Sequence, residues 1–255
     1  RSEKLIKEFI EQGEFASPNV SNMLGGAGRH IGQALEELTT NGKALTNFVK
    51  RSGFSPENVS SMIGGAGANI GHAIKMLLHY EKELAVIVSR GILNQSNISG
   101  ILSGSGASIG HNISELLTNI DKIEKFIQNS EFKSEEVSSM LAGSRGNVGE
   151  AINNLIKYSD ELNGMIRNGK YTTSNLSRIL NGSRANIGHV IELILKSEKK
   201  LQRFLTETGF SRQHLAVMLG ALRVDNGKKL DFLNEGRGVK IKKFIKDSGL
   251  GVGDI

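Results

Sequence analysis

The stretch FSPENVSSMIGGAGANIGHAI, residues 54–74, decides the fold, because the whole chain is built from copies of the segment that it opens. A fixed period is typical of stacked supersecondary units, each of which buries its apolar face against its neighbours. We therefore predict an elongated array and number each repeat from its Phe-like first residue. Copies begin every 39 residues, at Phe15, Phe54, Leu93, Phe132, Tyr171 and Phe210.

The first half of each repeat carries the pattern of a short helix. Positions 6, 9 and 10 are apolar throughout, as in Val59, Met62 and Ile63, and therefore share one helical face. Ser55 and Pro56 precede them, and these residue types favour the N-cap and the first turn of a helix. Positions 11 to 15 are then mostly Gly, Ala, Ser and Arg in varying order, which predicts a loop.

The second half of each repeat predicts a longer helix. Position 16 is mostly a short polar residue such as Asn69, whose side chain is expected to cap that helix. Apolar residues at positions 17, 21, 24, 31, 34 and 35 extend the helix over about 20 residues. The turn-prone pairs Asn41-Gly42 and Ser159-Asp160 predict a kink or a break in it. Glycines stand in the C-cap place at its end, namely Gly53, Gly91, Gly169 and Gly209.

These patterns predict an all-α fold, an α-solenoid or superhelix of about six helix-loop-helix repeats. Residues 1–14 match the end of a preceding repeat, and residues 15–209 form five regular repeats. Residues 210–249 form a divergent sixth repeat, and residues 250–255 match the beginning of another. We therefore expect the array to be part of a longer one.

The charge of the chain is unevenly placed. The net charge is +6, but residues 199–247 carry 12 Lys and Arg against 5 Asp and Glu, while the remainder is nearly neutral. A basic end on a neutral array favours contact with a polyanion. The chain has no cysteine, which excludes a disulfide framework and Cys-ligated zinc. No apolar run is long enough to predict a membrane span.

The start of the second helix carries the predicted anion-binding residues. Position 18 is a glycine in all six repeats, and the free N–H groups and dipole of a helix N-terminus favour phosphate. Position 19 supplies mostly hydrogen-bond donors, with Glu150 as the exception. Close packing of helices would also explain the glycines. The predicted phosphate-binding residues are Gly32, Gln33, Gly71, His72, Gly110, His111, Gly149, Gly188, His189, Gly227 and Lys228.

The loop ahead of that helix varies in sequence while the apolar positions keep their type. A constant scaffold with a changing loop tip is how a modular reader presents different side chains, although exposed loops also vary freely. We favour positions 14 to 16 as the residues closest to a bound ligand. They are Gly28, Arg29, His30, Gly67, Ala68, Asn69, Gly106, Ala107, Ser108, Arg145, Gly146, Asn147, Arg184, Ala185 and Asn186, with Arg223 in the divergent repeat.

The repeat resembles those of the TAL effector-like DNA-binding proteins. The resemblance lies in residues 54–59, in Asn69-Ile70-Gly71 followed by Ala73-Ile74, and in Arg90-Gly91, and it recurs across nearly the whole chain. It implies a loop that enters the DNA major groove and one base contact per repeat. The Asn69-Ile70-Gly71 register would make position 17 the base reader, but position 17 is nearly always Ile or Val. The opening of each repeat is also similar, more weakly, to mitochondrial transcription termination factors.

We therefore expect a monomeric protein that wraps double-stranded DNA, in the cytoplasm or the nucleus, or in a host nucleus if it is a secreted bacterial effector. Arg29, Arg145, Arg184 and Arg223 are expected to grip phosphates or guanine edges. The alternatives are a solenoid that binds a protein or peptide on its concave surface, and an RNA-binding repeat protein. Low aromatic content disfavours the RNA alternative, since single-stranded bases usually stack on aromatic rings.

Enzyme motifs have little support in the sequence. Gly-rich runs such as residues 65–71 imitate dinucleotide-binding loops, but their spacing differs and they follow a predicted helix rather than a strand. A stacked array would also space out His72, His111 and His189 instead of converging them on a metal ion. We predict no catalysis, no cofactor, no metal and no small-molecule substrate.

Overall fold

The computed structural model describes residues 2–183 and 187–221, together with Lys243 and Asp247. This part of the chain is all-α, as the sequence predicts. Its helices are α1 (Ser2–Gln12), α2 (Ser17–Gly25), α3 (Ile31–Ser52), α4 (Pro56–Gly64), α5 (Ile70–His79), α6 (Glu81–Arg90), α7 (Gln95–Ser103), α8 (Ile109–Asn129), α9 (Ser134–Gly143), α10 (Val148–Lys157), α11 (Ser159–Arg167), α12 (Thr173–Asn181), α13 (Ile187–Thr208) and α14 (Arg212–Ala221).

The short first helices are α2, α4, α7, α9, α12 and α14, and they form as their sequences predict. In α4 the hydroxyl of Ser55 accepts a hydrogen bond from the backbone N–H of Asn58 at 3.3 Å. Pro56 opens the helix at a place where its missing N–H removes no helical bond. Val59, Met62 and Ile63 are completely buried, so the predicted apolar face is the one that packs.

Successive repeats pack on one another in chain order. Each first helix contacts the first helix of the next repeat, from α2 through α14, and α3 contacts α1, α5 and α6. The buried apolar residues form one continuous cluster from Phe9 to Leu219. These contacts agree with a stacked array, whereas its superhelical course stays a prediction.

Aromatic pairs join the end of one repeat to the beginning of the next. Phe48 at position 34 stacks on Phe54 with ring centroids 6.0 Å apart, and Phe126 stacks on Phe132 at the same separation. All four rings are buried, and such pairs stabilise a core beyond the area that they bury. The Phe-like first residue of each repeat is therefore a junction residue.

Glycine at position 12 lets adjacent first helices come into backbone contact. A Cβ on Gly26 would lie 2.6 Å from the carbonyl oxygen of Gly64, and one on Gly104 would lie 2.7 Å from that of Ala142. Gly65, Gly143 and Gly182 each face the carbonyl of the residue at position 11 in the following repeat. The sequence predicts a loop from position 11 onward, but positions 11 and 12 end the helix and pack tightly.

The long helices have their N-cap at position 16, as predicted, but without the predicted side-chain capping bond. In the first three repeats a three-residue 3-10 turn precedes them, at Gly28–His30, Gly67–Asn69 and Gly106–Ser108, and the helix begins at position 17. None of the described position-16 residues, His30, Asn69, Ser108 and Asn147, accepts a side-chain capping bond. The prediction of side-chain capping was wrong, because the residues at position 16 already take part in the preceding turn.

Kinks occur in two of the five long helices. The predicted break near Ser159-Asp160 is confirmed, since Tyr158 separates α10 from α11, and Tyr80 likewise separates α5 from α6. The predicted kink at Asn41-Gly42 was wrong, because α3 runs through both residues. There the side-chain amide of Asn41 donates to the carbonyl of Glu37 at 2.8 Å and stays on its own helix.

The predicted C-cap glycines are confirmed at Gly53 and Gly91, whereas the C-cap of α11 is Asn168 and Gly169 directly follows it. Gly53, Gly91, Gly169 and Gly209 all have left-handed backbones with φ between 66° and 79°, which glycine adopts without steric cost. The predicted sixth repeat is described only as far as Ala221, and the repeat predicted to begin at residue 250 lies outside the described residues. No helix in the part of the chain that the structure describes has the length and apolarity to cross a membrane.

Candidate nucleic-acid interface

The loop between the two helices of a repeat turns at position 14, where the backbone is left-handed. Gly28, Gly67 and Gly106 have φ of 53°, 61° and 56°, and Arg145 adopts φ 58° at the same position. Arg145 is the only residue other than glycine with positive φ among the described residues. A left-handed backbone costs an L-residue roughly 1–2 kcal/mol, so the fourth repeat presents an arginine where glycine would be cheaper.

A buried asparagine braces that arginine. The side-chain amide of Asn112 donates to the hydroxyl of Ser105 at 2.7 Å and to the backbone carbonyl of Arg145 in the next repeat. Asn112 is completely buried at position 20, where the other described repeats have alanine or valine. The third repeat therefore holds the loop of the fourth in place.

A shallow groove of about 780 Å³ crosses the array from the second repeat to the sixth. It is formed where the first helices end and their loops begin, so each repeat adds the same positions to its wall. A second cavity of about 600 Å³ shares Asn181 and Gly220 with it and adds serines, Arg178 and Val217. The groove is lined by Gly65, Gly100, Ser103, Gly104, Gly106, Ala142, Gly143, Arg145, Asn181, Gly182 and Gly220.

The charge along this surface has one sign. Arg145 and Arg178 are its charged lining residues, both side chains are exposed, and no Asp or Glu lines either cavity. Neither arginine forms an ion pair with a residue that the structure describes. The guanidinium groups are therefore available to an anionic ligand.

The glycines predicted to bind phosphate pack against the preceding repeat. A Cβ on Gly71 would lie 2.7 Å from the carboxyl carbon of Glu37, and one on Gly110 would lie 2.6 Å from the sulfur of Met76. Gly149 and Gly188 meet Glu115 and Asn154 in the same way, and Gly110, Gly149 and Gly188 are buried. Each of these contacts is with the outer part of a flexible side chain, which can shift to admit a Cβ, and Gly32 of the first repeat is exposed.

The polar residues at position 19 remain accessible. Gln33, His72, His111 and His189 are all exposed. Gln33 and His72 line a third cavity, of about 600 Å³, between the first two repeats, together with Ala68, Asn69 and Lys75. The carboxylate of Glu37 lines the same cavity, so its charge is mixed. The structure thus places Asn69 with His72, and Arg145 in the groove, on separate surfaces.

The remaining predicted loop residues are mostly exposed. Arg29 donates from Nε to Nε2 of His30 at 3.2 Å, so the two side chains lie side by side. Ala68, Ala107 and Asn147 are exposed, while Ser108 and Gly146 are half-buried. Arg184, Ala185, Asn186, Arg223, Gly227 and Lys228 lie outside the described residues.

Arg178, Asn112 and two serine hydrogen bonds between first helices were not predicted from the sequence. Ser99 donates to the carbonyl of Asn58 at 3.0 Å, and Ser177 donates to that of Glu136 at 3.1 Å. The signal was present, because position 7 is serine in five successive repeats. Arg178 gave no such signal, since position 8 is arginine in the fifth repeat alone and varies among the others.

Metal binding and similarity to known proteins were both tested. Among the described residues, no three His, Asp or Glu side chains stand close enough to hold a metal ion. Comparison of the chain with family models, curated proteins and solved structures finds no significant match.

Proposed function

We propose that this protein binds double-stranded DNA along the groove, with cationic contacts from Arg145 in the groove and from Arg178 in the cavity that adjoins it. The observation that carries the proposal is a surface continuous over several repeats whose charged lining residues are both arginine. Phosphate contacts of this kind supply most of the affinity for a polyanion, independent of sequence. The resemblance of residues 54–74 to TAL effector-like repeats points to the same ligand.

The proposal assigns different roles to the predicted residues. Side chains, rather than the packed glycine backbones, carry the phosphate contacts, and the exposed histidines at position 19 add weaker ones. Arg145 extends from a loop and is the candidate base reader, since a guanidinium fits the O6 and N7 atoms of guanine. A DNA ligand also implies the nucleus or a compartment that holds free DNA, and we propose that the protein binds as a monomer.

The experiment measures binding of the chain to random-sequence duplex DNA by fluorescence anisotropy at about 50 and about 200 mM salt, because a phosphate-binding protein loses affinity steeply over this range. The double variant Arg145→Ala/Arg178→Ala is expected to weaken binding and to lower the slope of log K against log salt by about 2. Absence of binding at the lower salt concentration would contradict the proposal.

A matched control removes the same charge elsewhere. Arg51→Ala/Lys125→Ala deletes two exposed cations from α3 and α8 that line none of the cavities described above. We expect this variant to bind with nearly the wild-type salt dependence. Equal losses in both double variants would mean that net charge, and not the groove, drives binding.

A protein partner is the second candidate function. Position 25 is apolar in four successive repeats, at Leu78, Leu117, Ile156 and Leu195, and the last two are each 36% exposed. Exposed apolar residues at equivalent places in successive repeats are typical of an interaction surface, although Leu78 and Leu117 themselves pack against the core. Ile156 and Leu195 line neither the groove nor the cavity that adjoins it, so Ile156→Ser/Leu195→Ser should leave DNA binding unchanged.

A further inference from the structure

The second helices of the array alternate between straight and bent. In repeats one, three and five they are the continuous α3, α8 and α13, of 22, 21 and 22 residues. In repeats two and four they are divided into α5 and α6, and into α10 and α11. The bend falls at position 27 both times, at Tyr80 and Tyr158.

The residue at position 27 differs between the two kinds of helix. It is Asn41, Asn119 and Ser197 in the straight helices, and tyrosine in both bent ones. Asn41 and Asn119 each fold their side-chain amide back onto the carbonyl four residues earlier, at 2.8 and 2.9 Å. A tyrosine ring is too large to fold back in this way.

The helical backbone hydrogen bonds continue on both sides of the bend. Tyr158 has φ −105° and ψ 20°, outside the α-helical range, and Tyr80 has φ −99° and ψ 18°. Even so, the N–H of Tyr158 bonds to Asn154 at 3.1 Å, and its carbonyl accepts from Leu162 at 3.0 Å. The tyrosine is therefore a point of bending within one helix, with a helical bond on each side.

The two halves of the bent helix in the second repeat contact the same neighbouring helices. Both α5 and α6 contact the straight helices α3 and α8, and α10 contacts α8 and α13. Each bent helix therefore lies between two straight ones. Tyr158 adds a bond across this junction, because its hydroxyl donates to Glu192 of the next repeat.

We propose that position 27 selects the shape of the second helix, in that tyrosine bends it and asparagine or serine keeps it straight, so that the described repeats carry a bend in every second unit. The volume of the ring imposes the bend, and the bond to Glu192 follows from it. Tyr80 supports this order of cause, since it bends its helix although the next repeat has serine, Ser114, in the place of Glu192.

The test measures the bend with pairs of spin labels in the intact chain, which has no cysteine of its own. The exposed sites Glu150→Cys and Glu161→Cys straddle the bend, and the equivalent exposed sites His111→Cys and Lys122→Cys lie on straight α8. Eleven residues of straight helix rise about 16 Å and return to the same face, so the α8 pair gives the straight-helix reference.

Tyr158→Asn is expected to shift the distance in the fourth repeat to the α8 value, whereas Tyr158→Phe, which loses only the hydroxyl, is expected to leave it unchanged. An unchanged distance in Tyr158→Asn would overturn the proposal. A straightened helix in Tyr158→Phe would show that the Glu192 bond, and not the ring, makes the bend, and would overturn it too.

The reverse substitution keeps the proposal testable if Tyr158→Asn fails to fold. Asn119→Tyr is expected to shift the α8 pair to the distance of the bent repeat, and circular dichroism verifies that the variant is folded. A folded Asn119→Tyr variant with an unchanged distance in α8 would overturn the proposal.

Discussion

At the scale of single residues, the fourth repeat shows how one loop departs from the common pattern. Arg145 takes the left-handed conformation that glycine holds in the first three repeats. Asn112 from the preceding repeat bonds to its carbonyl and replaces the small residue found elsewhere at position 20. Arg145 and the asparagine that bonds to it lie in different repeats, so the two exceptions to the common pattern are explained together.

Arg145→Gly is expected to stabilise the protein by about 1 kcal/mol, because it relieves the left-handed backbone of an L-residue. Arg145→Ala retains the strained backbone and is expected to give no such gain. Urea denaturation of both variants measures the difference. Under the proposed function, both variants weaken DNA binding to a similar extent, which separates stability from the role of the guanidinium. An Arg145→Gly variant that is no more stable than Arg145→Ala would show that the loop is unstrained.

The bond between Tyr158 and Glu192 depends on pH in a predictable direction. The hydrogen bond from Tyr158, followed by the charge of Lys196, holds the pKa of Glu192 below its ordinary value of 4.5. A lowered folded-state pKa stabilises the fold above pH 4.5, and this contribution is lost as the pH falls through the folded value. Tyr158→Phe is expected to raise the pKa of Glu192 in an NMR titration. An unchanged pKa would mean that Lys196 alone causes the shift.

At the scale of the helices, the spacing between first helices is set by glycine. Gly65 faces the carbonyl of Ser103 so closely that any Cβ would overlap it, and both groups belong to backbone that cannot rotate away. Gly100 lies on the neighbouring helix α7, where a Cβ would meet nothing within 4 Å. Alanine can therefore be substituted at both glycines to compare a tightly packed site with an open one.

Gly65→Ala is expected to destabilise the protein by about 2 kcal/mol or more, because helices α4 and α7 must separate to admit the methyl group. Gly100→Ala is expected to stabilise it by up to about 1 kcal/mol, because alanine is the better helix former. Thermal or urea unfolding measures both changes. Equal effects of the two substitutions would contradict a role for Gly65 in helix approach.

Prediction from the sequence succeeded where one repeat carries its own signal. Residues such as Ser55, Val59 and Gly53 act within their own repeat, so capping, periodicity and C-cap rules locate them. Gly65, Gly71 and Asn112 act across a junction, and their partners lie about one repeat away in the sequence. The kink expected at Asn41-Gly42 was misjudged, because this pair resembles a turn although Asn41 bonds to its own helix.

At the scale of the whole molecule, we expect each repeat to be stabilised by its own contacts and by those with adjacent repeats. Every pair of elements with extensive contact in the described chain belongs to the same repeat or to adjacent repeats. Such an array behaves as a row of units joined by nearest-neighbour interfaces, so damage at one junction need not spread. The ion pairs of Arg90 with Asp121 and of Arg167 with Glu131 also bridge only neighbouring repeats.

Phe126→Ala tests this locality, because it removes the ring that stacks on Phe132 at the junction of the third and fourth repeats. The loss of a buried aromatic ring costs about 3–5 kcal/mol, which is enough to open one junction. Hydrogen exchange followed by mass spectrometry is expected to accelerate in α8 and α9 and to stay near the wild-type rate in α1 to α3. Equal acceleration along the described chain would show instead that the repeats unfold as one cooperative unit, since global opening would then expose every amide together.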